Sequence, residues 1–101
     1  MNRRDLIVAV SDRTGISRVR VSQVLDAVLE TIMDEVSAGS RVFLQGFGKF
    51  IPKHREAKVY HHIASDSLRT RPATDVPVFA PGKVFENRVK EARQHGSESE
   101  H

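Results

Sequence analysis

An α+β fold is what this 101-residue sequence predicts. Three observations carry the expectation. Two amphipathic helical patterns fill the first forty residues. A β-prone stretch with a long polar middle fills the next forty. A short helical pattern then closes the chain. The order is helix, helix, short strand, long strand, long strand, helix.

The first helix is signalled at its start by Asn2, an N-cap residue, with Asp5 three positions later where a capping-box acid belongs. Leu6, Ile7, Ala9 and Val10 give it one apolar face, and Gly15 is its expected stop. Ser17 can cap the second helix. Val21, Val24, Leu25, Val28, Leu29, Ile32, Met33 and Val36 follow at i, i+3, i+4, i+7 spacing, and Gly39 ends the run. The two make a helical hairpin whose stripe is wider than one short helix can cover, so part of this core is expected from a second copy.

From Arg41 the pattern changes. Arg41 to Leu44 is short and β-prone, Gly46-Phe47-Gly48 is a turn, and Lys49 to Tyr60 is mostly strand-compatible. Pro52 lacks a ladder donor, so an edge position or a bulge is expected near it. His61 to Ser67 is polar and irregular, with Ser65-Asp66-Ser67 as the tip or turn. Leu68 to Phe79 reads as a returning strand, with Pro72 and Pro77 again marking edges or bulges. Pro81 suits the first turn of a third helix over residues 81–94, with Val84, Phe85 and Val89 on its apolar side. Residues 96–101 are a Gly/Ser/Glu tail expected to be disordered.

Size and composition set limits. The length suits one small domain, 1–95, made of a helical base 1–40, a sheet and arm 41–80 and the closing helix. A monomer of this size is marginal alone, and dimerisation would relieve that. There is no cysteine, which removes disulfides and cysteine metal sites and is compatible with a reducing cytoplasm. No apolar run approaches the ~20 residues of a membrane span, and the opening is too charged for a signal peptide.

The net charge of +3 is unevenly spread. Residues 1–40 carry five arginines against six carboxylates, whereas residues 41–95 carry eleven Lys/Arg against five. Such asymmetry suggests a polyanion as partner. The hairpin from Lys53 to Arg71 is long, polar and poor in core residues, and isolated two-stranded hairpins are marginally stable at best. A basic hairpin that needs a partner suits a nucleic-acid groove.

Four segments resemble the HU/IHF family of bacterial architectural DNA-binding proteins. They are Met1-Asn2-Arg3-Arg4-Asp5-Leu6-Ile7, Val24 to Ile32, Gly46-Phe47-Gly48-Lys49-Phe50, and Pro72 to Lys83. They occur in the right order and at the right distances, and the resemblance covers residues 1 to about 93. It implies an IHF-like fold: a helical base, a three-stranded antiparallel sheet with an extended β-arm, and a C-terminal helix, in an intertwined dimer of the chain with itself or a paralogue. It also implies arms that wrap double-stranded DNA in the minor groove and kink it with an apolar residue at each tip; IHF and HU are established minor-groove examples.

The tip departs from the family pattern. Where the family carries Arg-Asn-Pro, this chain reads His61-His62-Ile63, preceded by Tyr60 in place of Gly and followed by Ser65-Asp66 in place of Thr-Gly. Ile63 is the candidate wedge, being apolar and bulky, but it lacks proline's fixed φ. Tyr60 can stack instead. His61 and His62 stand in for an arm cation, so DNA binding is expected to be tighter at pH 6 than at pH 8.

The expected DNA-binding set is Arg3, Gly46, Gly48, Lys53, Arg55, Lys58, His61, His62, Ile63, Arg69, Arg71 and Lys83. Lys53 and Arg55 share one strand face, as do Arg69 and Arg71. Lys83 stands at a helix N-terminus, where backbone N–H groups attract phosphate. Gly46 and Gly48 would let the backbone approach a phosphate. Arg18 and Arg20 can extend the footprint to the flanks. Leu29, Ile32, Val36, Leu44, Phe47, Phe50 and Phe79 are the expected dimer core. Function is expected to be histone-like DNA binding with little sequence specificity, in the cytoplasm and on the nucleoid, that bends, wraps or bridges DNA. Alternatives are an IHF-like sequence-preferring subunit, or a protein-interaction module whose hairpin pairs with another sheet edge. No catalytic constellation is readable, so no enzyme, cofactor, metal or small-molecule substrate is expected, and no membrane partner.

Overall fold

A computed structural model describes the backbone of residues 1–99 and the side chains of residues 1–94. The chain forms two compact units, one from Met1 to Asp34 and one from Glu35 onward. Val21 is the one buried apolar side chain among the described residues, and large hydrophobics such as Val24, Met33 and Phe43 are exposed.

The first unit holds helix α1, Arg3–Thr14, and most of helix α2, Arg18–Ser37. The capping box forms as the sequence predicts. The Asp5 N–H donates to Asn2 Oδ1 at 2.9 Å, and the Asn2 N–H donates to Asp5 Oδ2 at 3.2 Å. Gly15 closes α1 in the left-handed region (φ 76°), its N–H donating to the Ser11 carbonyl. Ser17 caps α2 through the Arg20 N–H at 3.3 Å. Leu6, Val10, Ile16, Val24 and Val28 help line an apolar groove of about 240 Å³ between the two helices.

The second unit contains strands β1 (Val42–Leu44), β2 (Gly48–Arg55), β3 (Lys58–His62), β4 (Ser67–Arg71) and β5 (Thr74–Pro81), then helix α3 (Lys83–Ser99). β1, β2 and β5 make a three-stranded antiparallel sheet with β2 in the middle, while β3 and β4 make a separate two-stranded one. Phe79 lies 5.2 Å from Phe47, 5.0 Å from Phe50 and 6.2 Å from Phe85 between ring centroids. These rings tie the turn after β1, the sheet and α3 together, each pair adding about 0.5–1.5 kcal/mol beyond its buried area.

The prolines do not make bulges. Pro52 pairs with Pro77 and Gly48 with Pro81 in an unshifted β2–β5 ladder. Neither proline has an N–H, so Pro52–Pro77 is a non-hydrogen-bonded pair, and such pairs alternate with bonded ones. Pro81 falls on the same alternation, which lets it end β5 instead of starting α3. Counting onward, Pro72 would face Ala57 in a bonded pair. Its missing donor breaks the ladder there, and pairing resumes with Lys58 opposite Arg71 in unchanged register. Each expected long strand is therefore two strands with a two-residue gap. The closing helix is also displaced from 81–94 to Lys83–Ser99, so residues 96–99 of the expected disordered tail are helical. Gly96 is tolerated because one interior glycine costs only ~1 kcal/mol. Glu100 and His101 lie outside the described residues.

Candidate nucleic-acid interface

The β3–β4 hairpin is a ribbon with two unlike faces. Strand alternation puts Lys58, Tyr60 and His62 of β3 on one face, with Arg71, Arg69 and Ser67 directly opposite them on β4. The other face carries Val59 and His61 opposite Thr70 and Leu68. Lys58, Arg69 and Arg71 are exposed, and they meet no carboxylate within ion-pair distance among the described residues. Lys58 and Arg71 are cross-strand partners, and like charges in that position repel.

Lys53 and Arg55 share a face of β2, as the two-residue spacing predicts, opposite Val76 and Thr74. Lys53 and Arg55 belong to the three-stranded sheet, and Lys58, Arg69 and Arg71 to the separate two-stranded one. The structure therefore divides the expected cationic set into a stem group and an arm group. His54 lies on the other face of the stem. Its Nδ1 is 2.7 Å from Asp75 and its Nε2 is 3.2 Å from Glu56, so both carboxylates near the gap are gathered around one imidazole.

At the tip, residues 63–66 form the turn, and β3 and β4 reach further than the expected irregular stretch. Asp66 has φ 49°, left-handed backbone at the position where the family pattern has glycine. The His61 Nε2–H donates to Asp66 Oδ1 at 2.8 Å. His62 Nδ1 accepts from the Ser65 N–H at 3.3 Å and from the Ser65 hydroxyl at 2.8 Å, and that hydroxyl accepts from Ser67 Oγ at 2.7 Å. Both histidines are thus engaged within the turn. Ile63 remains 88% exposed.

Away from the arm, Gly46 is exposed in its turn with φ 82° and open space around it. Gly48 is buried: a Cβ there would lie 2.6 Å from the Ala80 carbonyl oxygen and 2.7 Å from the Phe79 ring. Packing alone requires glycine there. Lys83 is exposed on the first turn of α3, beginning just after Gly82, whose carbonyl accepts the Glu86 N–H. Arg3 is an ion-pair partner of Asp26 and also donates to Ser22 Oγ at 3.3 Å, so its charge is already met on α2. Arg4, absent from the expected set, joins Arg3 and Arg18 around a hollow of about 230 Å³. Sequence spacing alone carried a signal for it, since 4 and 3 are adjacent to the same helix start. Among the described residues no group of three or more His, Asp or Glu is placed to hold a metal ion, and no helix is long and apolar enough to cross a membrane.

Comparison with known proteins bears on this arrangement. The family described as bacterial DNA-binding protein matches residues 1–90. The chain is 37% identical over 89 residues to DNA-binding protein HU of Nostoc sp., covering 88% of this chain and 95% of that one. It is also 37% identical over 89 residues to DNA-binding protein HRm of Rhizobium meliloti, covering 88% and 99%. Among solved structures it is similar to an Anabaena HU–DNA cocrystal structure, with TM-score 0.83, 37% identity and coverage of 88% and 97%. HU from Thermotoga maritima gives TM-score 0.63 at 28% identity, covering 88% and 98%.

Proposed function

The chain belongs to the bacterial DNA-binding protein family, that of HU, and from that membership we propose that it is an architectural protein that binds double-stranded DNA as a dimer and bends, wraps or bridges it with little sequence specificity. One observation carries the reading most directly. Lys58 and Arg71 are held opposite each other on an exposed two-stranded ribbon with no core of its own. A phosphate between or beside them turns repulsion into attraction.

The proposed contact set is the arm group Lys58, Arg69 and Arg71 with the stem group Lys53 and Arg55. Gly46 and Lys83 of the second unit and Arg4 and Arg18 of the first complete the proposed set. Phosphate contacts of this kind give affinity without reading sequence. Ile63 is the proposed wedge, supported by its exposure at the tip and its apolar bulk. Intercalation at flexible steps costs less, so bent or nicked DNA is the favoured substrate.

The dimer is supported by the near absence of a core in one chain. Leu29, Leu44, Phe47 and Phe79 are exposed and Ile32, Val36 and Phe50 are only half-buried. Each unit thus leaves apolar surface that a second copy can bury, the helical hairpin also through its apolar groove. The proposed setting is the cytoplasm, on the nucleoid. A mobility-shift titration of random-sequence duplex, run beside sedimentation of the free protein, tests the proposal. A salt-sensitive complex and a dimeric mass are expected; a monomer that ignores duplex DNA overturns it.

A further inference from the structure

The tip raises a mechanical question. A wedge must be presented in a fixed direction, or binding must first order the loop that carries it. Proline meets this need through its locked φ. Ile63 has no such lock. It is also the first residue of a four-residue turn, 63–66, at the end of a ribbon with few packing neighbours.

The second half of the turn is nevertheless tied by side chains at two successive residues, Ser65 and Asp66. Asp66, its last residue, bonds back to His61 across the ribbon, and His61 is itself paired with Leu68 in the strand ladder. Ser65 is held from two sides, by its N–H to His62 Nδ1 and by its hydroxyl to His62 and Ser67. His62 and Ser67 are the last pair of that ladder. The left-handed Asp66 is the residue that closes the loop, and an aspartate reaches this conformation at lower cost than most residues. What is left outermost is Ile63, with Ala64 beside it.

We infer that His61 and Asp66, with His62 and Ser65 in support, are positioning residues that hold the tip preformed and aim Ile63, doing by side-chain hydrogen bonds what a proline does by its ring. This rests on the proposed reading that Ile63 enters the duplex. It also gives the paired histidines a part other than binding phosphate. Loss of the His61–Asp66 bond therefore acts on bending more than on affinity, because the phosphate-facing cations Lys58, Arg69 and Arg71 are unaffected.

The full-length protein tests this with Ile63→Ala, Asp66→Gly and Asp66→Asn. Glycine keeps the left-handed backbone and removes the acceptor; asparagine tolerates the backbone and keeps an oxygen for the His61 N–H. Three readouts are taken: amide order parameters at Ile63 and Ala64 in the free protein, duplex bending by end-to-end energy transfer, and Kd. Wild type is expected in the rigid range near about 0.8, with Asp66→Gly below about 0.6. Asp66→Gly should bend DNA less, with Kd changed less than about twofold, and Asp66→Asn should restore the bend. A wild-type tip below about 0.6, or an Asp66→Gly protein that bends like wild type while Ile63→Ala does not, overturns the positioning role and leaves the wedge standing. An unchanged bend with Ile63→Ala overturns the wedge itself.

Discussion

Pro52 and Pro77 face each other across the β2–β5 ladder, and the ladder is unbroken there. Their pairing fixes which positions need an N–H and which do not. Pro72 falls on the needing set, and the ladder stops opposite Ala57. Pro72→Ala should therefore join stem and arm into one continuous hairpin. Amide exchange at residues 70–74 is expected to slow, and Pro77→Ala should leave it nearly unchanged. Equal protection in wild type and Pro72→Ala would show that the gap has another cause.

The Lys58–Arg71 pair sets arm stability against DNA affinity. Lys58→Glu replaces a repelling cross-strand pair with an attracting one, a change on the order of 0.5–1 kcal/mol in favour of the free hairpin. The same substitution places a carboxylate on the phosphate-facing side. Slower amide exchange in β3 and β4 and weaker duplex binding are expected together. Stronger binding would place the phosphate path on the other face of the ribbon.

Gly48 and Gly46 are two residues apart and are glycine for different reasons. Alanine at 48 would put a Cβ 2.6 Å from the Ala80 carbonyl oxygen and into the Phe79 ring, so strands must shift. A loss of about 1–3 kcal/mol is expected in denaturant unfolding of the dimer. Alanine at 46 meets open space and is penalised only for its positive φ, roughly 1–2 kcal/mol. The larger loss should be at 48, and the reverse order would contradict the packing assigned to it.

Much of this molecule was legible in the sequence because its signals are local. Asn2 with Asp5, Gly15, Ser17 and Gly39 punctuate the helices where their chemistry requires, and the order of elements follows from periodicity. What was not legible depends on register. Nothing local says that Pro52, Pro77 and Pro81 share one alternation and Pro72 the other. The strand gap and the division of Lys53 and Arg55 from Arg69 and Arg71 follow only once Lys58 is known to face Arg71. Partners distant in sequence were equally hidden. Arg3 reads as a flank cation until Asp26 is found beside it, and Gly48 reads as a loop glycine until Phe79 and Ala80 close over it. His61 and His62 read as weak cations because the turn that engages them ends at Asp66, whose left-handed backbone no spacing rule announces. A core-poor chain was foreseeable from the wide apolar stripe.

If the arm grips duplex DNA through its phosphates, binding must weaken steeply as salt rises. If arms and flanks neutralise on the order of six phosphates, log Kd against log salt should have a slope of magnitude roughly 5. The triple substitution Lys58→Ala, Arg69→Ala, Arg71→Ala should lower that magnitude by about one for each phosphate no longer neutralised. A nearly flat wild-type dependence, or a slope that the triple substitution leaves in place, would contradict the account.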